Sequence, residues 1–160
     1  MTSMVDPYIG YLSFRDEVEH GNLHLESGKL YPDIKLYFDK VEGQKRLTYT
    51  ILKENIPKGI LQVTPSGWEQ DVFYFQLGIA VSEEFRGQGI GSELNRKGIE
   101  EFLANYPLSK GEKLGIEVII SETNIASQRL AAKFFPDPPI QLTDKCSGEA
   151  ALRYEFIVVG

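Results

Sequence analysis

Gly87, Gly89 and Gly91 stand at alternate positions between Arg86 and Ser92. The segment before them, Gln76 to Val81, is mostly apolar and closes on Ser82-Glu83-Glu84. From Glu93 to Tyr106 the chain carries helix formers, with Leu94, Ile99, Phe102, Leu103 and Tyr106 at helical spacing. The pattern predicts a buried strand, a tight glycine turn and a helix. Glycine lets a ligand approach the main chain. The first amides of a helix lack partners within it and carry the positive end of its dipole. Such a turn is suited to phosphate, and Arg86 at its entrance can add a charge-assisted bond to the same anion.

Two common phosphate motifs are excluded. A Walker loop needs Lys after its last glycine, and here Ser92 follows Gly91. The dinucleotide fingerprint needs a third glycine where Ser92 stands. What remains is Arg86-x-x-Gly89-x-Gly91 behind an apolar strand that ends in Val81. This resembles the cofactor-binding motif of the GNAT (GCN5-related) N-acetyltransferase superfamily, Gln/Arg-x-x-Gly-x-Gly/Ala. Asn124-x-x-Ser127-x-x-Leu130 resembles a second segment of that family, whose Asn helps hold the cofactor. The resemblance covers Asp71 to about Phe135.

The elements that must position these residues can be read in order. Met1 to Pro7 reads as an irregular start and Tyr8 to Phe14 as a strand, with room for a short helix at Arg15 to His20. Asp33–Asp39 and Arg46–Lys53 alternate like strands about a Val41-Glu42-Gly43-Gln44 turn, a hairpin signature. Gly59 to Thr64 is a strand, Pro65-Ser66-Gly67 a turn, and Asp71 to Val81 the long strand before the glycines. Leu114 to Ile120 is nearly continuous apolar sequence, as in a central strand. Thr123 or Asn124 can cap a helix over Ile125–Phe135 that sets Ala126, Leu130 and Phe134 on one face and stops at Pro136. A last strand is expected over Ala150–Val159, with a short one at Ile140–Thr143.

The chain has 160 residues, which suits one domain over 1–160. Apolar content of 42% and charged content of 25% mark a globular chain. A net charge of −6 argues against sequence-independent nucleic-acid binding and leaves room for a cationic acceptor. Cys146 is the single cysteine, so no intrachain disulfide can form, as in a reducing compartment. No apolar run reaches membrane-spanning length and no secretory signal is visible, so a cytoplasmic location is expected. His20 and His24 form no metal pattern.

The resemblance implies an α/β fold: a central mixed sheet with helices on both faces. It implies acetyl-CoA as acyl donor and an unidentified amine as acceptor, with dimers frequent in the family. Ile79, Ala80 and Val81 would pair with the pantetheine arm. Arg86, Gly87, Gln88, Gly89, Ile90, Gly91 and Ser92 would hold the pyrophosphate, with Asn124 assisting. An amine would attack the thioester directly. Histone-type members carry a Glu where this chain has Phe75, and many members carry a Tyr where it has Ala131. Glu117, Glu69 or Asp71 are candidate bases; Tyr154, Ser121, Tyr106 or Cys146 are candidate proton donors. A non-catalytic acyl-CoA-binding module is the alternative, motivated by Phe75 and Ala131.

Overall fold

The computed structural model describes residues 6–160, so Met1–Val5, most of the expected irregular start, lies outside the described residues. The elements are α1 (Pro7–Glu19), β1 (Glu26–Ser27), β2 (Ile34–Val41), β3 (Gln44–Lys53), β4 (Ile56–Glu69), β5 (Val72–Val81), α2 (Ile90–Ala104), β6 (Lys113–Ser121), α3 (Ile125–Ala132), β7 (Ile140–Thr143) and β8 (Ala150–Val159). The strands join in one sheet in the order β1-β2-β3-β4-β5-β6-β8-β7. β5 and β6 pair in parallel, while β6 with β8 and β2 with β3 pair antiparallel. The sheet is therefore mixed, as expected.

The chain divides into two compact units. One comprises Asp6–Pro65 and Gly78–Pro107. Here the first expectation fails: Tyr8 to Phe14 is helix, not strand, and a single α1 replaces the strand and short helix. Asp6 accepts the Tyr8 N–H at 2.9 Å as N-cap, and Pro7 takes the first helical position, where a missing N–H costs nothing. Tyr11, Phe14 and Val18 then share one face and pack with Ile60 and Ala80. The Tyr11 hydroxyl donates to the Pro57 carbonyl at 2.8 Å.

Ile60 and Leu61 are neighbours on β4 and so face opposite ways. Ile60 meets α1. On the Leu61 side stands α2: a Cβ on Gly98 would lie 2.5 Å from Leu61 Cδ2, and one on Gly59 would lie 3.0 Å from Leu94 Cδ1. The two helices thus cover opposite faces of the same strands. β2 and β3 form the expected hairpin, turned through Glu42 (φ 51°) and Gly43 (φ 81°).

The other unit comprises Ser66–Leu77 and Leu108–Gly160. The turn expected at Pro65-Ser66-Gly67 is absent: β4 runs on to Glu69, and the chain reverses through Gln70 (φ 56°). The pairs of β4 with β3 end at Val63 with Leu47, so the missing N–H of Pro65 deprives no partner there. α3 buries Ala131, and beyond its end Phe135 is buried too, whereas the expected face began at the exposed Ala126. The phase shifts because α3 stops at Ala132 and Phe135 folds back against Tyr154 and Phe156, with ring centres 6.0 and 5.3 Å away.

Candidate functional site

The glycine turn is built by β5, a 3-10 turn over Glu83–Phe85 and α2. The end of β5 is fixed by the Ser82 N–H, which donates to the Lys58 carbonyl at 2.9 Å. Phe85 is buried and anchors the 3-10 turn, with Lys53 and Lys58 ammonium groups 5.8 and 5.9 Å from its ring centre. Gly87 and Gly89 both hold left-handed backbone, at φ 76° and 78°. Side chains there would meet nothing within 4 Å, so both positions border open space.

Gly89 is the N-cap of α2 and makes no side-chain capping bond. The helix therefore starts at Ile90, earlier than the run from Glu93 predicts, because a left-handed glycine completes the turn in one step. Ile90 is buried beneath it. The first-turn amides of Ile90, Gly91 and Ser92 have no acceptor inside the helix.

Arg86 is exposed but held. Its Nε donates to the Val81 carbonyl at 3.3 Å, and its guanidinium lies 5.2 Å from the ring centre of Tyr8. Tyr8 escapes a sequence reading that makes its segment a strand; the Asp6-Pro7 pair is the signal that exposes it. Gln88 donates to the Glu84 carbonyl at 3.4 Å. Ile79, Ala80 and Val81 form the last part of β5, with Ala80 turned toward α1.

In the unit holding β6 and β8, Asn124 caps α3: its Oδ1 accepts the Ser127 N–H at 3.1 Å. The parallel ladder pairs Val72 with Lys113 through Gln76 with Glu117. Glu117 is opposite Glu155 on β8. Arg153 joins three carboxylates: Nε donates to Glu117 at 2.6 Å, and Nη2 lies 2.9 Å from Glu69 and 3.0 Å from Glu155. Its guanidinium also lies 4.7 Å from the centre of the Tyr74 ring. Burial pulls the Arg153 pKa down, but the bond to Glu69 and the fields of Glu117 and Glu155 hold it above the ordinary value. The alternation of Arg153 and Glu155 with Leu152, Tyr154 and Phe156 is the sequence signal for this polar strand face.

Tyr154 is buried against Phe135, on the face of β8 opposite Glu155. Glu117 and Tyr154 thus point to opposite sides of the β6–β8 pair. Ser121 shares the Glu117 side of β6 and bonds Thr123 between hydroxyls at 2.9 Å. Asp71 is paired with Lys113 at 2.9 Å, and that hydrogen bond lowers its pKa. Phe75 packs on Phe73, and Ala131 is buried. Cys146 is exposed. Among the described residues no group of His, Cys, Asp and Glu is arranged to hold a metal, and no helix is long and apolar enough to cross a membrane.

Residues 9–135 match the profile of the acetyltransferase (GNAT) family. The chain belongs to that family. GNAT members use acetyl-CoA as acyl donor. Arabidopsis thaliana Naa50, solved with the bisubstrate analogue CoA-Ac-MVNAL, shares the fold at TM-score 0.53 and 15% identity, over 68% of this chain and 71% of that one. A Salmonella typhimurium acetyl transferase that modifies the N-terminal serine of ribosomal protein L7/L12 aligns at TM-score 0.54 and 18% identity, over 71% and 64%. An aminoglycoside N(6′)acetyltransferase from Legionella pneumophila aligns at 0.54 and 11%, over 71% and 63%. At such identities the likeness is one of fold. Among curated proteins no sequence matches this chain.

Proposed function

We propose that this GNAT protein is an N-acetyltransferase that moves an acetyl group from acetyl-CoA to a primary amine, with both substrates bound together. The observation that carries the reading is the uncapped start of α2 at a left-handed Gly89, beside open space at Gly87 and Gly89. Main-chain donors and the helix dipole converge there on a place suited to an external anion. The donor set suits the diphosphate of CoA. Arg86, Gly87, Gln88, Gly89, Ile90, Gly91 and Ser92 would hold it, while Ile79, Ala80 and Val81 align the pantetheine arm and Asn124 assists.

Bound acetyl-CoA supplies an activated thioester carbonyl. The chain contributes position and a polarising environment, which carry much of the rate in such transfers. An alkylammonium must lose a proton before it attacks, its free pKa being about 10.4. Glu117 is our candidate to receive that proton directly or through water, with Ser121 on the same strand face. The carboxylates of Glu69, Glu117 and Glu155 outnumber the Arg153 cation, which favours a cationic acceptor over an acidic one.

The test is release of free CoA thiol from acetyl-CoA in the presence of polyamines, aminoglycosides, amino acids and N-terminal peptides. Amine-dependent release with at least one class is expected. The burial of Phe75 and Ala131, which carry no proton, supports a second reading as an acyl-CoA-binding module. Tight CoA binding in calorimetry with no release across the panel would favour that reading. Absence of both binding and release would remove both.

A further inference from the structure

The first turn of α1 sits against the end of β5. Pro7 Cγ is 3.5 Å from where a Cβ on Gly78 would stand. One residue on, the Tyr8 ring lies beneath the Arg86 guanidinium at 5.2 Å, while Arg86 Nε donates to the Val81 carbonyl at 3.3 Å. Tyr8 packs against the cluster of Tyr11, Phe14, Val18, Ile60 and Ala80, with its ring centre 5.4 Å from that of Tyr11, so it is itself held.

From this geometry we infer that Tyr8 is a positioning residue for Arg86 and so governs how tightly the donor's phosphates are gripped. This rests on the acetyl-CoA reading above. An exposed arginine samples many rotamers, and ordering it on binding costs affinity. Here the guanidinium lies over an aromatic ring and Nε is bonded to the strand end. The terminal N–H donors of the guanidinium remain for an anion, in a planar fork that matches phosphate oxygens. The ring contact leaves the positive charge in place, beside the α2 N-terminus. A helix that precedes the whole sheet in sequence thereby contributes to the phosphate end of the site.

The experiment is calorimetric binding of CoA and steady-state kinetics on the full chain. Tyr8→Leu keeps apolar bulk and removes the π face; Tyr8→Phe keeps the face. Tyr8→Leu is expected to raise the CoA Kd and the acetyl-CoA KM by about threefold to tenfold. Tyr8→Phe should restore wild-type values within about twofold. In an Arg86→Ala background Tyr8→Leu should add nothing further. With S-acetylpantetheine, which lacks the diphosphate, Tyr8→Leu should shift KM far less than with acetyl-CoA. Unchanged CoA affinity in Tyr8→Leu, or an equal loss in the Arg86→Ala background or with S-acetylpantetheine, overturns the inference while the acetyl-CoA reading stands. No CoA binding by the wild-type chain overturns both.

Discussion

Arg153 donates from Nε to Glu117 Oε2 at 2.6 Å, and the two side chains are only 14% and 9% exposed. They stand on adjacent strands, β8 and β6. Removing one partner of a buried pair leaves the other charge without compensation. Arg153→Met should therefore destabilise the protein by about 3–5 kcal/mol, read from urea denaturation. A loss below about 1 kcal/mol would mean that water already compensates the pair, as at an exposed surface.

Tyr74 packs beneath that guanidinium and over Gly115, where an added Cβ would overlap the Tyr74 ring. Its phenol is pushed up to about 12 from 10.0, first by burial and then by Glu155 beside it. The neutral form is thus favoured in the folded state, so its contribution is present below pH 10 and lost as pH rises through about 12. Tyrosinate absorbance should show late-titrating phenols, of which Tyr74→Phe removes the step at about 12 and leaves Tyr49, which burial raises further. Gly115→Ala should advance that step toward pH 10 by displacing the ring; an unmoved step would show that the ring tolerates the methyl group.

Gly89 starts α2 at φ 78° with nothing near a would-be side chain. Gly89→Glu should abolish CoA binding in calorimetry, because a carboxylate would occupy the place proposed for the diphosphate. The fold should survive, with a loss of about 1–2 kcal/mol for left-handed backbone at a non-glycine residue. Native far-UV circular dichroism together with unchanged CoA affinity would move the phosphate site elsewhere.

Glu101 is fully buried on α2, and both of its carboxylate oxygens lie 3.0 Å from the Leu30 N–H. The approach needs Gly28, since a Cβ there would overlap Glu101 and lie 2.6 Å from the Tyr31 carbonyl. Glu101→Ala leaves the Leu30 donor unmet and should cost about 1–3 kcal/mol in thermal or urea unfolding. Glu101→Gln retains an acceptor and should cost less. Equal losses in the two variants would show that charge, not the hydrogen bond, holds this segment.

The strand, turn and helix from β5 through α2 were legible from sequence alone, because alternation, glycine spacing and helical periodicity are local signals that the backbone obeys. The hairpin of β2 and β3 was legible for the same reason, as were β6 and the short strand β7. The helix α1 reads as a strand from its aromatic Tyr8, Tyr11 and Phe14, which suit either element; the Asp6-Pro7 start and the packing against Ile60 and Ala80 decide for the helix. Pro65 invites a turn, but β4 runs on past it to Glu69 because its pairs with β3 have already ended at Val63. The resemblance to the family rests on Arg86, Gly89, Gly91 and Asn124, within the stretch from β5 to α3, whereas the family match extends back to residue 9. The partners of Arg153 and Arg86 could not be read this way. Glu69 and Arg153 are far apart in the chain, as are Tyr8 and Arg86, and no local periodicity encodes which distant side chains a folded sheet brings within bonding distance.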